Sequence, residues 1–160
     1  MKNQGLKKIN FNFVKDTRGF LSSIEGDSCI PFKIKRVFYI HQVPKNISRG
    51  GHAHRYTNQV LIALSGQVKV ICSSGRDSHF IELNNPNQGL LIPQMTWTDL
   101  SKFSEGSICL VLADTHYNIS HSIRDWDSFL KEKKLEKHTE PQSKEANYKN
   151  LDSISEFNDG

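Results

Sequence analysis

An all-β domain closed by a C-terminal helix is the fold this sequence predicts, and three observations carry it. Between residue 6 and about residue 120 the chain is a series of short apolar runs rich in Val, Ile and Phe. The runs recur about every 8–12 residues, the spacing of barrels and sandwiches. Polar turn signals separate them, and no stretch before residue 120 keeps a helical period over ten residues.

The expected strands, in order, begin with Ile9–Val14 and Phe20–Ile24, on either side of the turn Asp16-Thr17-Arg18-Gly19. Lys35–Val43 and Gly51–Tyr56 follow as apolar or alternating runs. Gln59–Leu64 and Gln67–Cys72 form a hairpin closed at Ser65-Gly66, and Ser74-Gly75-Arg76-Asp77 ends the second of them. His79–Leu83 stops at Asn84-Asn85-Pro86-Asn87. Gly89–Ile92, Thr96–Leu100 and Ser107–Ala113 complete the set, the last preceded by Glu105-Gly106. From Ile123 to about Leu135 the pattern changes. Ile123, Trp126, Phe129 and Leu130 stand at i, i+3, i+6 and i+7, one face of a helix expected to pack its Trp and Phe onto the barrel. Residues 1–135 are thus read as one domain and 136–160 as a polar tail, mobile or loosely attached.

Composition narrows the function. At 160 residues and 18.3 kDa the chain is one domain in length. No apolar run approaches the ~18 residues of a membrane span, and the N-terminus lacks the apolar core of a secretory signal. Cys29, Cys72 and Cys109 are widely separated and form no CxxC pair. A zinc finger and a disulfide scaffold are therefore not expected, and the reducing cytoplasm is. The net charge of +4 is scattered, so the dense basic stripe of a nucleic-acid binder is missing. A smaller anionic ligand fits it.

The segment that carries chemistry is Arg49-Gly50-Gly51-His52-Ala53-His54-Arg55-Tyr56-Thr57-Asn58-Gln59, followed by VLIALSG. On a strand, residues i and i+2 share a face, so His52 and His54 point together. Such a pair is a metal half-site, a proton-transfer pair, or two ordinary buried polar groups.

The spacing of H-x-H, Gln59 and Gly66 resembles the first motif of the cupin superfamily, and Gly89-Leu90-Leu91-Ile92-Pro93 resembles the second. The resemblance implies a double-stranded β-helix, a jelly-roll-like barrel, with the short C-terminal helix added. A metal-binding cupin would offer His, His, Glu and His. This chain offers His52, His54, Gln59 and Thr98, a poor donor set for a divalent cation, so no metal is expected.

A narrower resemblance is carried by KIKRVFYIHQVP, RGGHAHR, NQVLIALSG, GLLIPQMTW, GSICLVLADTHY and IRDWDSFL, in order from about Asn12 to Leu130. Together these are similar to the sugar 3,4-ketoisomerases, metal-free cupins related to the WxcM C-terminal domain. The resemblance implies a dTDP-linked 4-keto-6-deoxyhexose as substrate, conversion of dTDP-4-keto-6-deoxyglucose to a 3-keto isomer, and no cofactor. It implies a role in making 3-amino-3,6-dideoxyhexoses for surface polysaccharides. Imidazole both accepts and donates protons near neutrality, which such chemistry requires. On this basis His54 is assigned the carbon proton, His52 the shuttling of protons, and Tyr39 a hydrogen bond to the enediolate oxygens. Arg18 and Arg49 are assigned to the diphosphate, because a guanidinium forks onto phosphate oxygens. Gln59 is expected to bond the sugar or a histidine, Trp97 to wall the pocket, and Thr98 to face it where the family commonly has a basic residue. Arg36 and Arg55 are read as structural or solvated. A homodimer is expected, by the resemblance and because the N-terminal strand offers an edge that needs cover. The competing readings are a cupin that binds a nucleotide sugar without turning it over, a related nucleotide-sugar epimerase, and a plain metal cupin.

Overall fold

Alternation decides which residues of each strand reach the interior, and the central strand of one sheet departs furthest from it. Gln59–Ser65 (β6) is buried at five consecutive positions, so both of its faces are covered. The computed structural model, which describes residues 5–139, explains why. Two five-stranded sheets pack together. The first has the order β1-β9-β6-β11-β4 and the second the order β12-β5-β10-β7-β8; every pairing within them is antiparallel. The strands of the first are Lys7–Asn10 (β1), Arg36–His41 (β4), β6, Gln88–Ile92 (β9) and Ile108–Ala113 (β11). Those of the second are Arg49–His54 (β5), Val68–Ser73 (β7), Ser78–Leu83 (β8), Trp97–Ser101 (β10) and Ser122–Ile123 (β12). A separate hairpin joins Phe13–Asp16 (β2) to Gly19–Ser22 (β3). This is the cupin double-stranded β-helix, with Trp126–Thr139 (α1) as its helix.

Three apolar clusters hold the parts together. Between the sheets lie Leu61, Ala63, Val70, Ile81, Leu90 and Val111, with partners from every neighbouring strand. On the outer face of the first sheet, Val60, Ile62, Leu91 and Leu112 are covered by Phe11, Ile30 and Phe32 from the N-terminal segment and the loop before β4. That second layer is why β6 is apolar at every position from Val60 to Leu64. On the outer face of the second sheet, Ala53, Met95 and Ile123 receive Phe129 of α1, which is fully buried. Burial of such a side chain contributes roughly 1.5–3 kcal/mol.

Two boundaries differ from the sequence reading. The single N-terminal strand over Ile9–Val14 is broken in two, because Phe11 turns into the outer core and its amide bonds the Asn87 carbonyl. The helix starts later and runs past Leu135. Ile123 sits on β12, and the Asp125 side chain caps α1 by accepting from the Ser128 amide and hydroxyl, each at 2.8 Å. Most of the polar tail lies outside the described residues.

Candidate active site

The site begins with a distortion of β5. Leu100 pairs with Arg49 and Asp99 with Gly50, but Thr98 pairs with His52, so Gly51 is an extra residue, a β-bulge. Gly50 and Gly51 have φ of +86° and +71°, a region that disfavours side chains. A Cβ on Gly50 would stand 2.5 Å from the Thr98 carbonyl oxygen. The bulge brings Arg49 onto the same face as His52 and His54, which looks into the barrel. Ala53 looks the other way, against α1.

The two imidazoles meet edge to face at 81°, with 3.1 Å between their Nε2 atoms. One hydrogen serves that contact, so one Nε2 donates while the other accepts. The Gln59 side-chain amide lies 3.2 Å from His54 Nε2 and is itself buried. The rings differ in basicity. Burial pulls His54 down to about 4, helped by the charges of His52, Arg36 and Arg124. His52 is lowered as well, first by burial and then by Arg124, but the Gly50 carbonyl and the Asp99 carboxylate oppose this. His52 is therefore the more basic ring of the pair.

Cross-strand register names the neighbours. On the second sheet Cys72, Thr98 and His52 stand side by side. Burial raises the Cys72 thiol to about 12, so it is inert as a nucleophile. On the first sheet Gln59, Ala113 and Arg36 stand side by side at the same end of the barrel. Among the described residues, no group of three or more His, Cys, Asp or Glu is placed to hold a metal ion.

The structure thus brings together His52, His54, Gln59 and Thr98, with Arg49 on the same strand face. It does not bring three others, Tyr39, Trp97 and Arg18, to them. Tyr39 is corrected: it is 62% exposed on the outer face of the first sheet, because β4 turns Arg36, Phe38 and Ile40 inward instead. Its ring lies beside His41. Trp97 is also corrected. It shares the face of Asp99, to which its indole N–H donates, and packs edge-on against Trp126 under α1. Arg18 sits at the tip of the β2–β3 hairpin, 87% exposed, and among the described residues its ion pair is with neighbouring Asp16. Sequence reasoning missed Arg36 and Arg124. The first required the parity of β4, and adjacent Phe38 and Tyr39 make that ambiguous; the second required the pairing of β12 with β5.

Two polar devices fix the frame. Asn58, next to Gln59, is clasped by Asp114, and Thr57 shares a hydrogen bond of 2.6 Å with Thr115. These are the Asp and Thr of the ADTHY segment. Arg55 forks onto Glu132 of α1 at 2.7 and 2.8 Å and donates to the Ser120 carbonyl, tying the helix to the end of β5. It is structural, as its alternation suggested.

The FdtA family, described as WxcM-like, C-terminal, matches residues 4–134. A TDP-4-oxo-6-deoxy-alpha-D-glucose-3,4-oxoisomerase of Aneurinibacillus thermoaerophilus is 39% identical over 125 residues, 78% of this chain and 90% of that protein. The structure of QdtA, a sugar 3,4-ketoisomerase of Thermoanaerobacterium thermosaccharolyticum in complex with TDP, superposes with a TM-score of 0.80 at 40% identity. It covers 85% of this chain and 98% of that one. The WlaRB TDP-quinovose 3,4-ketoisomerase of Campylobacter jejuni gives 0.77 at 40% identity, over 82% of this chain and 99% of that one.

Proposed function

The chain belongs to the FdtA family, WxcM-like, C-terminal, and from that membership we infer that it is an isomerase of a TDP-sugar, a 3,4-ketoisomerase acting on TDP-4-keto-6-deoxyglucose. The single observation that carries the chemistry is the pair of imidazoles with Nε2 atoms 3.1 Å apart inside the barrel.

The C4 ketone acidifies the C3 hydrogen. A base takes that proton, the C3–H electron pair becomes the C3=C4 bond, and the carbonyl pair moves onto O4. Return of a proton to C4, with loss of the O3 hydrogen and its transfer to O4, leaves C3 oxidised and C4 reduced. Nothing is consumed. Positioned acid–base help of this kind is worth about 10²–10⁴ in rate. A general base works best with its pKa near the working pH. The electrostatics therefore favour His52 for the carbon proton, with neutral His54 relaying hydrogen to and from the oxygens while the Gln59 amide holds it by a hydrogen bond. This reverses the division expected from sequence.

The diphosphate falls to Arg49, whose face and exposure suit it, and Thr98 beside His52 is a contact to the sugar. Three free cysteines are compatible with a reducing compartment such as the cytoplasm. Among the described residues no helix is long and apolar enough to cross a membrane. The product suits amination at C3, as in 3-amino-3,6-dideoxyhexoses of surface polysaccharides. A homodimer is supported by the apolar recess on the outer face of the first sheet, lined by Phe20, Ile24, Ile34, Val37, Leu64 and Leu110. It is also supported by the exposed Phe13, Val14 and Leu21 of the hairpin beside it. Sedimentation at micromolar concentration tests it, and a stable 18.3 kDa monomer would exclude it.

Incubation with TDP-4-keto-6-deoxyglucose, followed by NMR, tests the function. Migration of the ketone from C4 to C3 is expected. Saturable binding with an unchanged sugar would leave a binding protein only.

A further inference from the structure

The histidine pair is flanked by two guanidinium groups, one from each sheet. Arg36 is the first residue of β4. Its strand neighbour Ala113 is small and fully buried, and the next residue in that row is Gln59, which touches His54. In this row only the small side chain of Ala113 stands between Arg36 and Gln59. The Arg36 guanidinium lies over the rings of Phe38, 4.9 Å away, and Tyr117, 5.4 Å away, and its Nε is buried with no hydrogen-bond partner.

Arg124 approaches from the opposite side. Ser122 pairs with His54 and Ile123 with Ala53, so one step further along this register Arg124 comes level with His52, on the histidine face. Asp125 caps α1 and Arg55 ties the helix down, so the segment that carries Arg124 is held at both ends. Among the described residues neither Arg36 nor Arg124 is paired with a carboxylate. Two cations held without anions, beside two imidazoles, leave a place for negative charge.

We propose that Arg36 and Arg124 hold the negative charge that develops on the sugar oxygens O3 and O4 in the enediolate. This inference rests on the ketoisomerase reading. It adds two charge-stabilising residues to the reaction, distinct from the grip on the diphosphate. Burial is the main reason that His54 resists protonation; both positive charges add to it, and Arg124 acts on His52 as well. The charged and titratable groups that act on the pair are His52 and His54 themselves, Arg36 and Arg124, with the Asp99 carboxylate acting on His52 from the other face of the strand.

The test uses Arg36→Gln, Arg124→Gln and the corresponding Lys variants of the full chain. It measures kcat and KM on TDP-4-keto-6-deoxyglucose, the Kd for TDP, the pH profile of kcat/KM, and thermal unfolding to verify the fold. Each Gln variant is expected to lose roughly 10²-fold in kcat while TDP affinity holds. The Lys variants recover part of the loss. In Arg124→Gln the acidic limb of the profile moves to higher pH, because a cation beside the base is gone. Unchanged kcat and an unmoved limb in an active native background would overturn the inference alone. So would a loss confined to TDP affinity, which would make these residues a phosphate grip. A native protein that fails to convert the sugar would overturn the functional reading, and this inference with it.

Discussion

Asn58 donates to both carboxylate oxygens of Asp114, from its backbone amide at 2.9 Å and from its side-chain amide at 2.7 Å. Its own side-chain oxygen accepts from the Gln94 amide. Asn58 therefore joins the start of β6, the end of β11 and the turn before β10 at the level of Gln59. Removing the acceptor leaves partly buried donors unmet, at about 1–3 kcal/mol. Asp114→Ala is expected to melt several degrees lower and to lose some kcat, because Gln59 and His54 are less firmly held. Calorimetry and kinetics check this. An unchanged melting temperature would mean that water replaces the carboxylate.

The bulge in β5 makes a second prediction. Gly50→Ala places a methyl 2.5 Å from backbone and keeps φ at +86°, so the strand must shift. Gly51→Ala meets only the Asp99 side chain, at an ordinary 3.6 Å. It pays the left-handed backbone cost alone, about 1–2 kcal/mol. Gly50→Ala should therefore be much the more damaging to stability and turnover. Equal effects in denaturant titrations would show that the bulge is not what sets the histidine face.

Stability should depend on pH through His54. In the unfolded chain it takes its proton near 6.5, in the fold only near 4. Between these values the unfolded state binds more protons, so stability falls as pH falls through that window, by on the order of 3 kcal/mol. Below about 4 this contribution levels off. Denaturant titrations at several pH values should show the slope in the native protein and a shallower one in His54→Asn. Identical slopes would place the titration elsewhere.

Turnover is expected to survive a strong chelator. Gln59 and Thr98 are neutral donors, and the imidazole Nε2 atoms face each other rather than a shared ion. Stoichiometric zinc, iron or manganese, lost together with activity, would contradict this.

Much of the barrel was legible because period-2 alternation and turn residues are local signals. The runs Gln59–Leu64 and His79–Leu83 match β6 and β8 to within one residue. The H-x-H face was legible for the same reason. Tyr39 was not, because Val37-Phe38-Tyr39-Ile40 is apolar at every position and carries no parity. Trp97 was misplaced because α1 covers the outside of the second sheet, a long-range contact no local spacing reveals. Arg124 reaches the site through a two-residue strand whose pairs, Ser122 with His54 and Ile123 with Ala53, join distant parts of the chain, a range at which sequence pattern is silent.

The central claim is that the imidazole pair moves the sugar protons, with His52 as the carbon base. The most direct measurement is NMR of TDP-4-keto-6-deoxyglucose in deuterated water with the native protein, His52→Asn and His54→Asn, alongside TDP affinity for each. The account predicts ketone migration with solvent deuterium at C4 for the native protein. His52→Asn should show neither exchange of the C3 proton nor turnover, and His54→Asn impaired turnover with some C3 exchange, TDP affinity being kept in both. Exchange that persists in His52→Asn and vanishes in His54→Asn would reverse the two roles, and near-normal turnover in both variants would contradict the account.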